Sequence, residues 1–340
     1  VKALLPLSWA YAAGVAVDRA LRTVPRAPGA SRPRVVSIGN LETGGSGKTP
    51  LAIWWLARAA EDGARVAYVS RGYGARAVGA HTVTGVLPGD VLPVDAAGWR
   101  VLARSHPELA REIGDEGALV VERAPGAAAL FCADKRRAVA AAAALGVDVV
   151  VLDDGFQSWR VARNTDVVML DAARPLDGGA LLPAGTLREA PSALRRADAV
   201  VFNGASSEDA LQNARARVAR WLRDGIPVAG MARSLSFAAV GAGAQASPWR
   251  LVAVSAIARP EAFARSLADA GVVVAAHLMF RDHHRYDAKD VARIAARAAR
   301  EDAEVVTTEK DWVKLRGLEL PARVWVARLE VALIGDPLPV

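Results

Sequence analysis

The sequence predicts an α/β protein: a P-loop NTPase-type parallel sheet sandwiched by helices, with a second, smaller α/β domain and an N-terminal membrane-associating helix. Three observations carry that reading. Short β-branched runs alternate with Ala-rich stretches from Arg34 onward, a glycine-rich turn follows the first run, and the alternation resumes beyond a Gly/Ala/Ser stretch near 225–246. At 340 residues and 52% hydrophobic content, the chain has material for about two domains with buried cores. Lys and Arg number 43 against 36 Asp and Glu, a net +7 that favours anionic partners. No basic-aromatic stripe marks a nucleic-acid binder. The one cysteine, Cys132, lies in an apolar run and excludes both a disulfide framework and a Cys-based metal cluster.

Residues 1–34 read as the apolar helix and its basic flank. Ala3–Val17 is uncharged and apolar apart from Ser8, Trp9 and Tyr11, and is shorter than the roughly 20 residues a spanning helix needs. Arg19, Arg22, Arg26, Arg32 and Arg34 follow, as expected of a helix resting on lipid whose flank meets anionic headgroups. An ordinary core helix is the competing reading. A secretory signal is disfavoured because a phosphate loop follows so closely.

Residues 35–225 read as the P-loop domain, with strands at Val35–Ile38, Val66–Ser70, Val147–Leu152, Val167–Leu170 and Ala199–Phe202. Helices are expected over Pro50–Glu61 and Lys135–Leu145, each stopping shortly before a glycine. A linker over 226–246 leads to the second domain, 247–340. There, strands are expected at Leu251–Val254, Val272–Ala276, Glu304–Thr307 and Val324–Val326, with helices at Pro260–Ala270 and Ala288–Arg300.

The strongest signal runs from Val35 to Pro50: strand, glycine-rich turn, Lys-Thr, helix. Gly44, Gly45 and Gly47, with Ser46 between them, let backbone N–H groups approach phosphate oxygens, and the helix that follows turns its positive end to the same anion. Lys48 is placed to reach the β- and γ-phosphates of ATP and Thr49 to offer its hydroxyl to Mg²⁺. Glu42 stands where the P-loop pattern expects its first glycine. Farther on, the apolar run from Val147 ends in Asp153-Asp154-Gly155-Phe156-Gln157, a Walker B-like strand end whose carboxylates can hold Mg²⁺ with Gln157 nearby.

Phosphoryl transfer to a hydroxyl needs a proton acceptor. Asp115-Glu116, between Gly114 and Gly117, supplies a carboxylate pair that reads locally as an acidic turn. Asp282-His283-His284, between Arg281 and Arg285, concentrates titratable groups after a predicted strand. Ser70-Arg71-Gly72-Tyr73, the segment from Leu182 to Glu189, and the charged loop Thr307–Trp312 are each balanced between solvated loop and site. A two-domain closure that excludes water would set Asp115 and His283 on opposite walls.

Taken together these residues resemble the tetraacyldisaccharide 4′-kinases of lipid A synthesis. The resemblance runs in order along nearly the whole chain: the apolar helix, Gly39-Asn40-Leu41 and the loop to Pro50, Ser70–Tyr73, Gly114-Asp115-Glu116, Leu152–Gln157, Pro183-Ala184-Gly185 with Leu187-Arg188-Glu189, Ala256–Pro260, Asp282-His283-His284 with Tyr286, and Thr308–Asp311. It implies an ATP- and Mg²⁺-dependent kinase acting on the 4′-hydroxyl of an acylated glucosamine disaccharide 1-phosphate, at the cytoplasmic face of the bacterial inner membrane. No nucleic-acid or protein partner is implied. Carried over, Lys48 and Thr49 bind triphosphate and metal, Asp153, Asp154 and Gln157 shape the metal site, and Asp115 is the base working with His283. Arg71, Tyr73, Glu116 and Glu189 line the site, and Lys135 or Arg136 meets phosphate. The sequence departs from the family pattern at Gly117, at Ser158 and at Asp134-Lys135, where proline, histidine and an Asp-Arg pair are usual. The alternative is a P-loop switch ATPase or GTPase of the partitioning or metallochaperone type. Thr43, where that group carries lysine, argues against it.

Overall fold

The computed structural model describes residues 4–27, 33–44, 47–72, 79, 82–90, 99–106, 108–240, 250–320 and 323–339. In chain order the elements are α1 (Leu5–Arg22), β1 (Arg34–Asn40), α2 (Lys48–Glu61), β2 (Val66–Ser70), β3 (Thr84–Val86), β4 (Arg100–Val101), α3 (Leu109–Ile113), α4 (Asp115–Arg123), β5 (Ala128–Phe131), α5 (Lys135–Ala144), β6 (Val149–Asp153) and β7 (Thr165–Asp171). There follow β8 (Ala199–Asn203), α6 (Glu208–Val218), β9 (Val228–Val240), β10 (Arg250–Ser255), α7 (Pro260–Asp269), β11 (Val273–Met279), α8 (Ala288–Glu301), β12 (Glu304–Thr308), α9 (Glu309–Leu315) and β13 (Val324–Gly335).

The chain divides into two compact units: Val1–Arg104, Val120–Ala232 and Val331–Val340 form the first, Ser105–Leu119 and Arg233–Glu330 the second. The contiguous division at a 226–246 linker is therefore corrected. Residues 228–240 are strand β9, and the dividing point falls inside it. The Gly/Ala/Ser texture that suggested a linker does not prevent pairing: Val228 to Met231 run parallel to Val200 to Asn203. Residues 241–246 lie outside the described residues.

In the first unit the strand order is β9-β8-β7-β1-β6-β2-β5-β3-β4. All neighbours are parallel except β3 against β5. Strands of this sheet read as continuous apolar runs because both faces are covered. On one cluster Val168, Val200 and Phe202 pack with Leu211, Ala214 and Val218 of α6. In another, Val35, Val69 and Val150 pack with Ala138, Ala141 and Ala142 of α5, whose small side chains let the helix lie close to the strands. The central β1 pairs β6 in a register that sets Ile38 opposite Asp153. The phosphate-loop segment and the acidic strand end thus leave the sheet side by side, at the carboxyl edge where such sheets bind ligands.

Helix α1 belongs to the first unit. Pro6 occupies its first turn, where the missing N–H costs nothing. Buried Ser8 accepts from the Ala184 amide at 3.2 Å and donates to the Leu181 carbonyl at 3.0 Å, while Leu7, Trp9, Val17 and Leu21 stay exposed. Among the described residues no helix is long and apolar enough to cross a membrane.

The second unit pairs its strands in the order β11-β10-β12-β13, all parallel. Val252, Val254 and Val305 pack with Ile294 and Ala298 of α8, and Leu251, Ala253 and Val306 with Phe263 and Leu267 of α7. Asp287 and Asp290 form a capping box that starts α8.

Candidate active site

Two clusters of functional side chains form, one in each unit. In the first, β1 delivers the chain into the phosphate-loop segment. Gly39 is required there because a Cβ would sit 2.5 Å from the Phe156 Cβ, so the segments after β1 and β6 can touch. Gly47, at φ +82°, caps α2 in the left-handed conformation, and a Cβ would lie 2.9 Å from the Asn203 amide nitrogen. No side chain caps the first turn of α2, which leaves its backbone donors for another acceptor. Gly45 and Ser46 lie outside the described residues, as does Tyr73. Glu42 forms a bridge to Leu187 and is half-buried, and burial pushes its carboxyl up.

Lys48, at the start of α2, stands 3.4 Å from Asp154 Oδ1. The same carboxylate accepts Arg188 Nη1 on both oxygens, at 2.9 and 2.8 Å. Burial opposes ionisation of Asp154, but Lys48 and Arg188 outweigh it and hold the carboxyl below its ordinary range. Its neighbour behaves oppositely: burial pushes Asp153 up. Asp153 Oδ2 accepts Tyr68 Oη at 2.9 Å and Ser70 Oγ at 3.2 Å, and its buried Oδ1 has no hydrogen-bond partner. An orphaned carboxylate oxygen at this strand end, one residue before Asp154, suits a hard divalent cation, for which oxygen donors are the ordinary ligands.

Lys135 is placed differently from the phosphate contact the resemblance implies. It is 5% exposed, and its Nζ donates to the carbonyl oxygens of Asp153 and Asp154, so it fastens the turn that carries them. Arg136 pairs with Asp134 at the exposed N-terminus of α5. Glu189 does not open onto the site either. It is buried, accepts Arg196 Nη2 at 3.0 and 2.9 Å, and takes Gln157 Nε2 at 2.9 Å. Arg196 stacks over Phe156 and Trp159. Gln157 Nε2 also donates to the Asn40 carbonyl, and its buried Oε1 has no hydrogen-bond partner among the described residues. Arg71, Asp154, Gln157 and Arg188 line one cavity of about 470 Å³ with Tyr11 and Asp18 of α1.

The second cluster corrects the opposite-walls expectation: Asp115 and His283 belong to one unit, with His283 Nδ1 3.1 Å from Asp115 Oδ2. Ser105–Leu119 goes with the second unit although 35–225 was read as one domain. Asp115 is also no loop residue. Gly114, at φ +86°, breaks α3 from α4, and Asp115 begins α4, where a carboxylate is favoured. His283 holds a left-handed φ of +59°, tied by its N–H to Asp282 Oδ1 and the Ala256 carbonyl. Such strain in a non-glycine residue persists where surroundings impose it. His284 faces Asp290 instead, at 2.8 Å.

The segment expected as a charged loop at 307–312 begins α9, capped by the Thr308 hydroxyl. From this helix Lys310 reaches Glu116 at 3.0 Å and Lys314 reaches Asp115 at 3.3 Å. Sequence reasoning missed Arg196 and Lys314, and left Tyr68, Ser70 and Arg188 without roles. Arg188, beside Glu189, and Ser70, ahead of Arg71, both stood in quoted motifs and so carried a usable signal.

The family model for tetraacyldisaccharide-1-P 4′-kinase matches residues 1–338. Curated relatives named tetraacyldisaccharide 4′-kinase include one from Anaeromyxobacter sp. (strain Fw109-5), 42% identical over 310 residues that cover 87% of this chain and 76% of the relative. Another, from Halorhodospira halophila, is 36% identical over 338 residues, 97% of this chain and 88% of the relative. Among solved structures, LpxK from Aquifex aeolicus in complex with ATP aligns with a TM-score of 0.69 and 25% identity, covering 98% of this chain and 95% of that one.

Proposed function

We propose a division of labour among these residues from one premise: the chain belongs to the tetraacyldisaccharide-1-P 4′-kinase family. It is a kinase that transfers the γ-phosphoryl group of ATP to the 4′-hydroxyl of tetraacyldisaccharide 1-phosphate, giving the 1,4′-bisphosphate and ADP. The acceptor's O–H bond breaks and its oxygen forms a bond to Pγ, the bond from Pγ to the bridging oxygen breaks and that oxygen leaves with ADP, and a proton must be taken up.

In this reading the first unit binds the triphosphate. Gly44 to Gly47 and the uncapped first turn of α2 cradle it, and Lys48 neutralises β- and γ-oxygens. Thr49, Asp153 and Asp154 would hold Mg²⁺, which when bound draws negative charge off the transferring group. Arg188 and Lys48 keep Asp154 anionic for that task, and Lys135 fixes the backbone of both aspartates. Glu189, clamped by Arg196, orients Gln157.

The second unit takes the proton. Asp115 is the base, and His283, donating through Nδ1, orients its carboxylate toward the proton it takes up. The Asp115–His283 contact is the observation that carries the assignment, because it joins a carboxylate and an imidazole 168 residues apart in the sequence. The exposed Leu7, Trp9, Val17 and Leu21 of α1, with Arg19 and Arg22 behind them, support seating on the anionic cytoplasmic face of the inner membrane, where an acylated substrate lies.

The test is Asp115→Ala, assayed by mass spectrometry for a phosphoryl group gained on detergent-dispersed tetraacyldisaccharide 1-phosphate. Transfer should fall by about a hundredfold or more while ATP affinity stays within about twofold of the parent. Unchanged turnover in that variant removes Asp115 as the base.

A further inference from the structure

Asp115 has two oxygens, and the structure distinguishes them. Oδ2 faces both His283 Nδ1, at 3.1 Å, and Lys314 Nζ, at 3.3 Å. Oδ1 carries no hydrogen bond or ion pair among the described residues. Lys314 is only 8% exposed at its side chain, which is unusual for a lysine and requires anionic company. It finds two carboxylates: Asp115, and Asp311 one turn back on α9, whose Oδ1 is 3.0 Å away.

Asp311 is itself held rigidly. It is fully buried, and its Oδ2 accepts the Ala256 amide at 3.0 Å and the Thr308 hydroxyl at 2.7 Å. A chain of contacts therefore runs from the ends of β10 and β12 through Asp311 and Lys314 to the candidate base. The Tyr286 ring, 5.6 Å from Nζ, closes one side of the ammonium. A lysine that served only to neutralise Asp311 would need no second carboxylate on another element. Lys314 spans to α4 instead.

We propose that Lys314 is a positioning residue for phosphoryl transfer: anchored on Asp311, it shares Asp115 Oδ2 with His283 and so leaves Oδ1 as the oxygen that receives the acceptor's proton. This rests on Asp115 being the base. In the transfer step the proton passes from the 4′-hydroxyl to Oδ1, while Lys314 keeps its own protons and contacts neither substrate. Losing it frees the carboxylate to rotate, which slows proton acceptance without weakening the hold on ATP.

The experiment uses the full chain and measures kcat and KM for ATP and for detergent-dispersed tetraacyldisaccharide 1-phosphate. Four proteins are compared: the parent, Lys314→Met, Lys314→Met/Asp311→Asn and Asp115→Asn. The expected result is a fall in kcat of about tenfold or more in Lys314→Met, with the KM for ATP within about twofold. The double variant, in which the fully buried Asp311 carboxylate is no longer left without its cation, should keep the low kcat even as its thermal midpoint recovers. A kcat within twofold of the parent in Lys314→Met, beside an inactive Asp115→Asn, overturns the proposal and spares the base assignment. Recovery of kcat in the double variant also overturns it, since the loss then came from unpaired Asp311. Full turnover in Asp115→Asn brings down the base assignment itself, and this inference with it.

Discussion

At Asp153 burial pushes the carboxyl up, whereas one residue later Lys48 and Arg188 pull Asp154 down, so two identical side chains at one strand end carry different charge tendencies. Lys135 lies under both. Burial lowers its ammonium from 10.5 to about 8, against the opposing pull of Asp153 and Asp154. An unfolded chain keeps that proton up to its ordinary range, so the native state sheds it first as pH rises. Stability relative to Lys135→Met should therefore increase between about pH 8 and 10.5, by on the order of 3 kcal/mol at most. Urea midpoints of the two proteins at pH 7 and pH 10 check this, and a difference that does not change with pH contradicts it. Lys48 and Thr49 were legible in sequence because their chemistry depends on neighbours in the chain. Lys135 was not, because the carbonyls it fastens lie 18 and 19 residues away.

The long periodic elements agree with sequence expectation: α2, α5, α7 and α8, and strands β1, β2, β6, β7, β8, β10, β11 and β12, fall within a few residues of their predicted places. Short elements escaped, as did the 11-residue α6 and the 13-residue β9. α3 has 5 residues and α9 has 7, too few for a helical apolar stripe to register, and their acidic residues resemble turn formers. β5 hid inside an apolar run that gave no period at all. At this scale α1 yields a prediction. Replacing Leu7, Trp9 and Leu21, which are 57%, 71% and 80% exposed, with serine should lower partition onto anionic vesicles by about tenfold or more. The KM for ATP should not move. Flotation of parent and variant with vesicles measures the first quantity, and equal partition removes the lipid-seating role.

Neither unit is one continuous segment. Residues after Glu330 return to the first unit, where Asp336 Oδ2 accepts the Val228 amide at 2.9 Å and the Pro339 carbonyl accepts Arg34 at 2.8 Å. Ending the chain at Glu330 should thus weaken the first unit, although the deleted residues are remote in sequence from Arg34 and Val228. We expect a thermal midpoint lower by roughly 5 °C or more, at about 2–4 °C per kcal/mol for a unit of this size. A melting curve unchanged by the truncation contradicts this. The sequence alone determined the α/β class, the phosphate loop, the acidic strand end and the family resemblance, because each depends on local spacing, apolar periodicity or short motifs in order. Tertiary structure alone decided that Asp115 leaves the first unit to meet His283, that Lys135 holds backbone, and that Lys314 and Arg196 pair with Asp115 and Glu189. Those outcomes depend on which distant segments share a compact unit and on buried charges finding partners, and neither is encoded in the spacing of neighbours along the chain.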